Sequence, residues 1–500
     1  MSADPVRTSG RGLSRRSFLW SLGSVGIAST AAMIVASCSG TPTASPTTAP
    51  AAAAPTGAPS QPSASAPTAA PAAAPTAAAK PTTAPQAAAA PSSGTPTTIV
   101  FITTLSEPAR VDGQKALIDK FQKAQSDVKV NFQVSNWNDA PAKFMAMVAA
   151  NAPPDTSTGG NTWPLTYANQ GAIRDADDTL AAIGGKDGFY PSELVAYQFK
   201  GKTWALPMYQ TPDVLFYRKD WFEQKGIKVP DIDKDYSFTW DTYMQTATSL
   251  TGNGIYGVVE PCADIHGYKP LWGLMLSNNV SVLDKDNKLA YNNQGTIETY
   301  DFVAKLYKAA APPGEPTYQA SDSTTAIKSS KAAMTIWNTG LLRETKLDQP
   351  DLLSKLGVIG TPKKQTLGGF KGAVNFMLYK TKNVEAVNTF YQFVYKKENY
   401  IPLLLSYPEL MLPSRPEAAN APEYLNSKEL EPTKDQMAIA VKTLPNEYGL
   451  TLRYGPNPWG GDIEAKKILQ NVLIDMLTNG TAAAAAVAKG EKALEDLMKS

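Results

Sequence analysis

The stretch Ile99–Val134, IVFITTLSEPARVDGQKALIDKFQKAQSDVKVNFQV, decides the fold. It opens on a short apolar run, Ile99-Val100-Phe101-Ile102, with the character of a strand. Leu117 and Phe121 then share one helical face within Lys115–Lys123, and Val128, Val130, Phe132 and Val134 alternate with polar residues as a half-buried strand does. A helical pattern over Lys143–Ala150 ends at Pro153-Pro154-Asp155. Tyr167-Ala168-Asn169-Gln170-Gly171 reads as a helix C-terminus with its glycine cap. Strand and helix in alternation predict an α/β fold with largely parallel sheets flanked by helices.

The pattern continues far downstream. Val387, Phe390, Tyr391 and Val394 fall at helical spacing, as do Ile468, Leu469, Val472, Leu473 and Met476, and both stripes are read as core. No fixed-period repeat is visible. The globular part, roughly 400 residues, exceeds what one hydrophobic core usually supports, so two lobes are expected.

Upstream, Ser14–Ser39 reads SRRSFLWSLGSVGIASTAAMIVASCS. A basic pair, an uncharged run and then small residues have the layout of an export signal, to be set aside before fold reasoning. Ser14-Arg15-Arg16-Ser17-Phe18-Leu19 resembles a twin-arginine signal. Val35-Ala36-Ser37-Cys38 resembles a bacterial lipobox, with cleavage before a lipidated Cys38. The competing reading is an uncleaved anchor over Ser17–Ser37, which is uncharged but rich in Gly, Ser and Thr for a membrane span. Residues 1–37 are therefore expected to be signal. Residues 38–97 are expected to be a disordered tether of Ala, Pro, Thr and Ser, too poor in bulky apolar side chains to offset its ordering entropy.

Charge and cysteine content narrow the function. Arg7, Arg11, Arg15, Arg16 and Lys80 against Asp4 give the head a net +4, so the chain's +2 becomes −2 for the remainder. No basic stripe suggests nucleic-acid binding. The chain has 2 cysteines; with Cys38 lipidated, Cys262 has no intramolecular partner, and no disulfide framework supports the fold.

Catalytic signatures are sparse. His266 is the sole histidine, which excludes HExxH zinc sites and leaves a Ser-His or Cys-His arrangement only that one residue. Neither a Walker loop nor a Rossmann fingerprint is present, and Gly368-Gly369-Phe370-Lys371-Gly372 has the wrong spacing for a phosphate loop. A glycosidase carboxylate pair is invisible to sequence alone and stays open as an alternative. What stands out is a set of aromatic residues flanked by Gly, Pro or Asn: Trp163, Tyr209, Trp272, Trp337 and Trp459. Such rings offer a flat apolar face with a polar edge, suited to the C–H face of a sugar.

The chain resembles the extracellular solute-binding proteins of ABC importers, in the group of sugar and oligosaccharide binders. The likeness runs over nearly all of Ile99–Ser500. Its landmarks are, in order, NAPPDTSTGGNTWPLTYANQGAIRDADDTL, GKTWALPMYQTPDVLFYRKDWFEQKGIKVP, FTWDTY, AAMTIWNTG, GVIGTPKK, GGFKGAVNFMLYKTKNVEAVNTFYQFV, LPSRPEA and NPWGGDIEAKKILQNVLIDMLTNG. The departures are YRKD in place of the more usual Tyr-Asn-Lys-Asp, and PCADIHGYKP, which matches no ligand signature.

This resemblance implies a two-lobe, type II-like periplasmic-binding-protein fold with the ligand cleft at the hinge. The first lobe would take 98–209 plus 360–405 and the second 210–359 plus 406–500. Crossings would fall near Met208–Pro212, Gly360 and Leu412–Ser414. It implies ligand contacts at Asn161, Thr162, Trp163, Tyr209, Gln210, Trp337, Asn338, Gly369, Phe370 and Trp459, with Trp272, beside His266 and Tyr268, expected to join them from a variable region. Trp240 is read as structural. The implied function is capture of a small solute, a sugar or short oligosaccharide, and its delivery to an ABC permease. The implied protein is a monomer, not an enzyme, with no cofactor, metal or nucleic-acid partner, held at the outer face of the cytoplasmic membrane by lipid on Cys38. A surface carbohydrate hydrolase and a binder of non-sugar solutes are the alternatives.

Overall fold

A computed structural model describes residues 95–499. The expected export signal, Cys38 and the tether as far as Gly94 lie outside the described residues. The opening pattern forms β1 (Thr97–Thr103) and β2 (Val128–Val134), parallel and in register with Phe101 beside Phe132. Between them the helix Pro108–Ala124 starts on proline, whose missing N–H is of no consequence in a first turn. It buries Leu117, Ile118 and Phe121. Then come β3 (Thr156–Gly160), a small hairpin of β4 (Gln198–Phe199) and β5 (Lys202–Thr203), and the long β6 (Leu206–Arg218). The second half of the chain adds β7 (Ser237–Thr239), β8 (Tyr256–Val258), β9 (Ala332–Asn338) and β10 (Leu356–Lys363). The last strands are β11 (Gly369–Leu378), β12 (Leu412–Pro413) and β13 (Glu447–Tyr448).

Strand order along the main path is β2-β1-β3-β11-β6-β10-β7, with β9 and β8 reached through β6. The outer pairs β1/β2, β1/β3, β7/β10 and β8/β9 are parallel, as the alternating pattern predicts. Pairs made by β6 with β9, β10 and β11 are antiparallel. The sheet is therefore mixed, because β6 leaves the first lobe while β11 returns to it, and two strands crossing in opposite senses pair antiparallel.

The crossing is visible along β6 itself, which is buried at every residue. Leu206 and Met208 pack with Ile99, Phe101 and Phe390 in the first lobe's core. Leu215 and Tyr217 pack with Trp240, Trp272 and Leu469 in the second lobe's core, and Val214 and Phe216 face the layer behind it. The first lobe's other face is covered by Phe144, Trp163 and Tyr379. Both faces of each sheet are thus filled.

Core membership places the lobe boundaries differently from the sequence reading. Gly360 and Lys363 of β10 still pair with Ser237 and Thr239 of β7 in the second lobe, so the return falls on β11 rather than at Gly360. Tyr407, Leu410, Met411 and Tyr424 pack in the first lobe's core, beyond the expected limit at residue 405. Contiguous assignment missed this because helices Lys397–Leu404 and Pro416–Ala419 flank the crossing strand β12, which pairs with Tyr209 and Gln210.

Trp240 is structural. Its ring stacks on Phe302 at 4.3 Å, its Nε1 donates to Ser277 Oγ at 3.0 Å, and Thr239 caps the helix it begins. Gly171, with φ +72°, closes the helix Trp163–Asn169 in the left-handed conformation that glycine adopts without strain.

Candidate functional site

Where β6, β9 and β11 cross, the lobes enclose a cavity of ≈ 190 Å³. The first lobe supplies Thr104, Ser106, Glu107, Arg110, Trp137, Gly160 and Asn161 to its wall. The crossing strands supply Tyr209, Thr211, Phe370, Gly372, Ala373 and Val374. From the second lobe come His266, Tyr268, Lys269, Trp337, Asn338, Glu344 and Glu464, while Tyr407 and Leu410 complete the wall.

Local sequence explains several placements. The segment Thr156-Ser157-Thr158-Gly159-Gly160 is a poor strand by propensity, yet it is fully buried as β3. A Cβ on Gly159 would lie 2.7 Å from Met377 Cε, and one on Gly160 would lie 3.2 Å from the wall residue Trp137, so both glycines make room for close-packed neighbours. Asn161 then turns its amide to donate to the Lys371 carbonyl at 3.0 Å, tying the first lobe to β11.

One end of the cavity is a set of satisfied ion pairs. Arg110 is paired with Glu107 and donates from Nη1 to Tyr209 Oη at 2.9 Å. Burial pushes the Tyr209 phenol up to about 12. Glu344 is paired with Lys328 at 3.2 Å, and burial raises its carboxyl above the ordinary glutamate range.

The other end is aromatic. Lys269 Nζ lies 4.8 Å from the centre of the Trp337 ring and 5.0 Å from that of Phe370. His266 meets Trp337 edge-on at 5.7 Å, and Tyr268 meets Phe370 edge-on at 5.5 Å. Burial, then the Lys269 charge, holds the His266 imidazole well below its ordinary pKa, and its Nδ1 has no hydrogen-bond partner.

Glu464 joins the lobes. It sits on the helix Gly460–Ala465, whose Ile463 belongs to the second lobe's core. Its Oε2 accepts from the Thr162 hydroxyl at 2.6 Å and from Trp163 Nε1 at 3.3 Å, both on the first lobe. Burial raises its carboxyl pKa. Beside this latch, Thr166 Oγ1 donates to the Pro458 carbonyl at 2.7 Å.

Of the residues expected from the sequence, Asn161, Tyr209, Trp337, Asn338 and Phe370 come together in the wall. The others take different places. Trp272 is completely buried in the helix Tyr268–Ser277 and donates from Nε1 to the Tyr448 carbonyl at 3.0 Å, so the expected ligand contact is replaced by a core role. Trp459 is half-buried against the second lobe's core, at the start of the helix bearing Glu464. Thr162 and Trp163 stand behind the wall, serving Glu464. Gln210 points away and donates to the Pro413 carbonyl at 3.1 Å, as expected for the neighbour of inward-facing Tyr209 on a strand. Gly369 pairs with Glu447, whose Cγ would lie 2.8 Å from any Cβ there.

Sequence reasoning missed Glu107, Arg110, Trp137, Lys269, Glu344, Tyr407 and Glu464 as wall residues. Arg110 and Lys269 were findable as cations within otherwise buried helical faces. For Trp137 and Tyr407, no spacing signal sets them apart from ordinary core aromatics. Among the described residues, no cluster of three His, Cys, Asp or Glu side chains suits a metal ion, and no helix is long and apolar enough to cross a membrane.

Two lobes, strands crossing between them and a polar, aromatic cavity at the crossing define a ligand-binding protein that encloses a small solute. The chain belongs to the bacterial extracellular solute-binding proteins, whose family model matches residues 116–432. A binding protein of Brucella abortus is 26% identical over 327 residues, covering 62% of this chain and 74% of the relative. An ABC transporter solute-binding protein of Thermotoga lettingae, bound to α-D-tagatose, superposes with a TM-score of 0.70 at 17% identity, covering 80% of this chain and 99% of that one. The GacH receptor of Streptomyces glaucescens, solved with and without acarbose, gives 0.68 at 19% identity, covering 81% and 99%.

Proposed function

We propose that this protein is the receptor of an ABC importer. It captures a sugar in the cavity between its lobes and hands it to a membrane permease, without turnover. The observation that carries the reading is the cavity at the strand crossing, with hydrogen-bonding groups and aromatic rings from both lobes. A ligand touching both lobes gains most contact when they are closed, so its differential affinity drives closure, and the closed form is what the permease recognises. ATP hydrolysis belongs to the permease complex. Sugars in the structurally similar receptors support the ligand class. The size of ≈ 190 Å³ is small beside the roughly 300–1,000 Å³ typical of drug-sized sites, favouring one or two rings over a long oligosaccharide.

The acids facing the cavity do not favour hydrolysis, since Glu107 and Glu344 are held by Arg110 and Lys328 and Glu464 is used as a latch. Lipidation at Cys38, export by the twin-arginine route and action as a monomer complete the proposal. The test is thermal unfolding of the purified protein against mono- and disaccharides, polyols, amino acids and polyamines. A ligand specific for the folded state at a thousandfold excess over Kd stabilises it by about 4 kcal/mol. A shift with a sugar class and no product formed supports the reading; no shift with any sugar or polyol refutes the ligand class.

A further inference from the structure

The wall presents one cation that the protein leaves without a hydrogen-bond acceptor, Lys269. Lys269 is 9% exposed, on a helix buried along its whole length. Among the described residues its ammonium has neither an ion pair nor a hydrogen bond, only the faces of Trp337 and Phe370. Those two rings therefore hold an ammonium rather than standing free as sugar platforms. Such contacts attract the cation but accept none of its three N–H protons in the way an oxygen does.

The surrounding acids are otherwise engaged. Glu107 is taken by Arg110, Glu344 by Lys328, and Glu464 by Thr162 and Trp163. Asp213, wholly buried on β6 and outside the wall, and Glu464 act on the Lys269 charge through space, but neither forms an ion pair with it. A buried ammonium without a direct oxygen partner is costly, and a ligand that brings a charged acceptor offsets that cost.

We infer that the solute carries a carboxylate, that Lys269 is its seat, and that the ligand is an acidic monosaccharide of the hexuronate class. This rests on the receptor reading above and adds the charge and size of its solute. A carboxylate would give Lys269 its missing acceptor. The ring hydroxyls would fall to Asn161, Asn338, Thr211 and the Glu107–Arg110 pair. A cavity of ≈ 190 Å³, below the roughly 300–1,000 Å³ typical of drug-sized sites, suits one ring and its carboxylate.

The experiment is calorimetric titration of the purified full-length protein with glucuronate, galacturonate, glucuronamide, glucose and galactose, and with citrate and glutamate as non-sugar carboxylates. Glucuronamide keeps the shape of glucuronate and removes its charge, so the wild-type protein alone reads the effect. A hexuronate binding at least about tenfold tighter than its amide and neutral hexose is expected, from one charge-assisted hydrogen bond. In Lys269→Met, checked for an unchanged melting profile, that preference is expected to vanish. Equal affinity for acid and neutral sugars overturns the inference and leaves the sugar receptor standing. Binding of citrate or glutamate with no sugar supports the carboxylate seat and overturns the sugar class. No binding of any carboxylate overturns the inference, whatever neutral ligand is then found.

Discussion

Replacing Thr162 by valine removes one hydroxyl, keeps the side-chain shape and takes one hydrogen bond from the wall residue Glu464. In the structure that hydroxyl donates to Glu464 Oε2 at 2.6 Å, from the first lobe to the second. The wall holds Asn161 and Glu464 but not Thr162, so no ligand contact of Thr162 itself is lost. The bond exists only while the lobes are together; on opening, both groups return to water. A hydrogen bond to a charged group contributes about 1.5–3 kcal/mol net of that exchange, so ligand affinity should fall roughly 10- to 100-fold. The weaker neutral bond from Thr166 to the Pro458 carbonyl, 2.7 Å, gives a graded companion. At about 0.5–1.5 kcal/mol, Thr166→Val should cost roughly 2- to 10-fold. Calorimetry gives Kd, and stopped-flow fluorescence should assign most of the loss to faster release, since the encounter with open lobes is unchanged. A Thr162→Val protein whose Kd stays within twofold of wild type would refute the view that Glu464 latches the closed form.

Other substitutions separate wall from scaffold. Trp337→Ala should weaken ligand binding at least about tenfold by calorimetry, as it removes both a wall face and a support for Lys269, whereas Trp459→Ala should leave Kd within about threefold. Asp213 is wholly buried without a hydrogen-bond partner, and burial, partly offset by the Lys269 charge, moves its carboxyl from 3.8 to about 6. Its folded-state pKa lies above the unfolded one, so its ionisation penalises folding increasingly as pH rises from about 4 to 6 and by a constant amount above that. Asp213→Asn should therefore raise stability at pH 8 by on the order of 3 kcal/mol and change it little at pH 4, read from chemical unfolding at both values. Gly257 has Ala247 O only 1.9 Å from where a Cβ would stand, so Gly257→Ala should yield little folded protein, judged by its loss from the soluble fraction and of its melting transition. Cys38→Ser should move the protein from the membrane fraction to the medium or periplasm, and continued membrane association would favour the anchor reading.

Ile99–Val134 was legible because each face of its strands and helix meets one kind of surroundings. Ile99 and Phe101 enter one core and Ile102 the other, and Leu117 and Phe121 share a helical stripe. β3 was not legible in those terms. Thr156–Gly160 contains no bulky apolar residue, and its burial follows from side chains outside the strand, Met377 far along the chain and Trp163 on the helix that follows. The lobe boundaries failed for a related reason: residues beyond 405 return to the first lobe through packing of Tyr407 and Tyr424, which no local pattern announces.

The aromatic residues make the same point at the site. Trp163, Tyr209, Trp272, Trp337 and Trp459 looked alike in sequence because each is flanked by residues that break regular patterns. In the fold, Trp163 supports a latch, Trp272 fills a core and Trp459 starts a helix; only Tyr209 and Trp337, on the crossing strands β6 and β9, reach the cavity. What separates them is distance from the crossing, a property of strand pairing rather than composition. Lys269 shows the reverse failure. A lysine in YKPLWG looks like an ordinary solvated charge, yet its helix is buried throughout and turns the ammonium toward two rings in the cavity between the lobes. Burying a lysine with no oxygen in direct contact works against folding, and the proposed carboxylate would offset that cost.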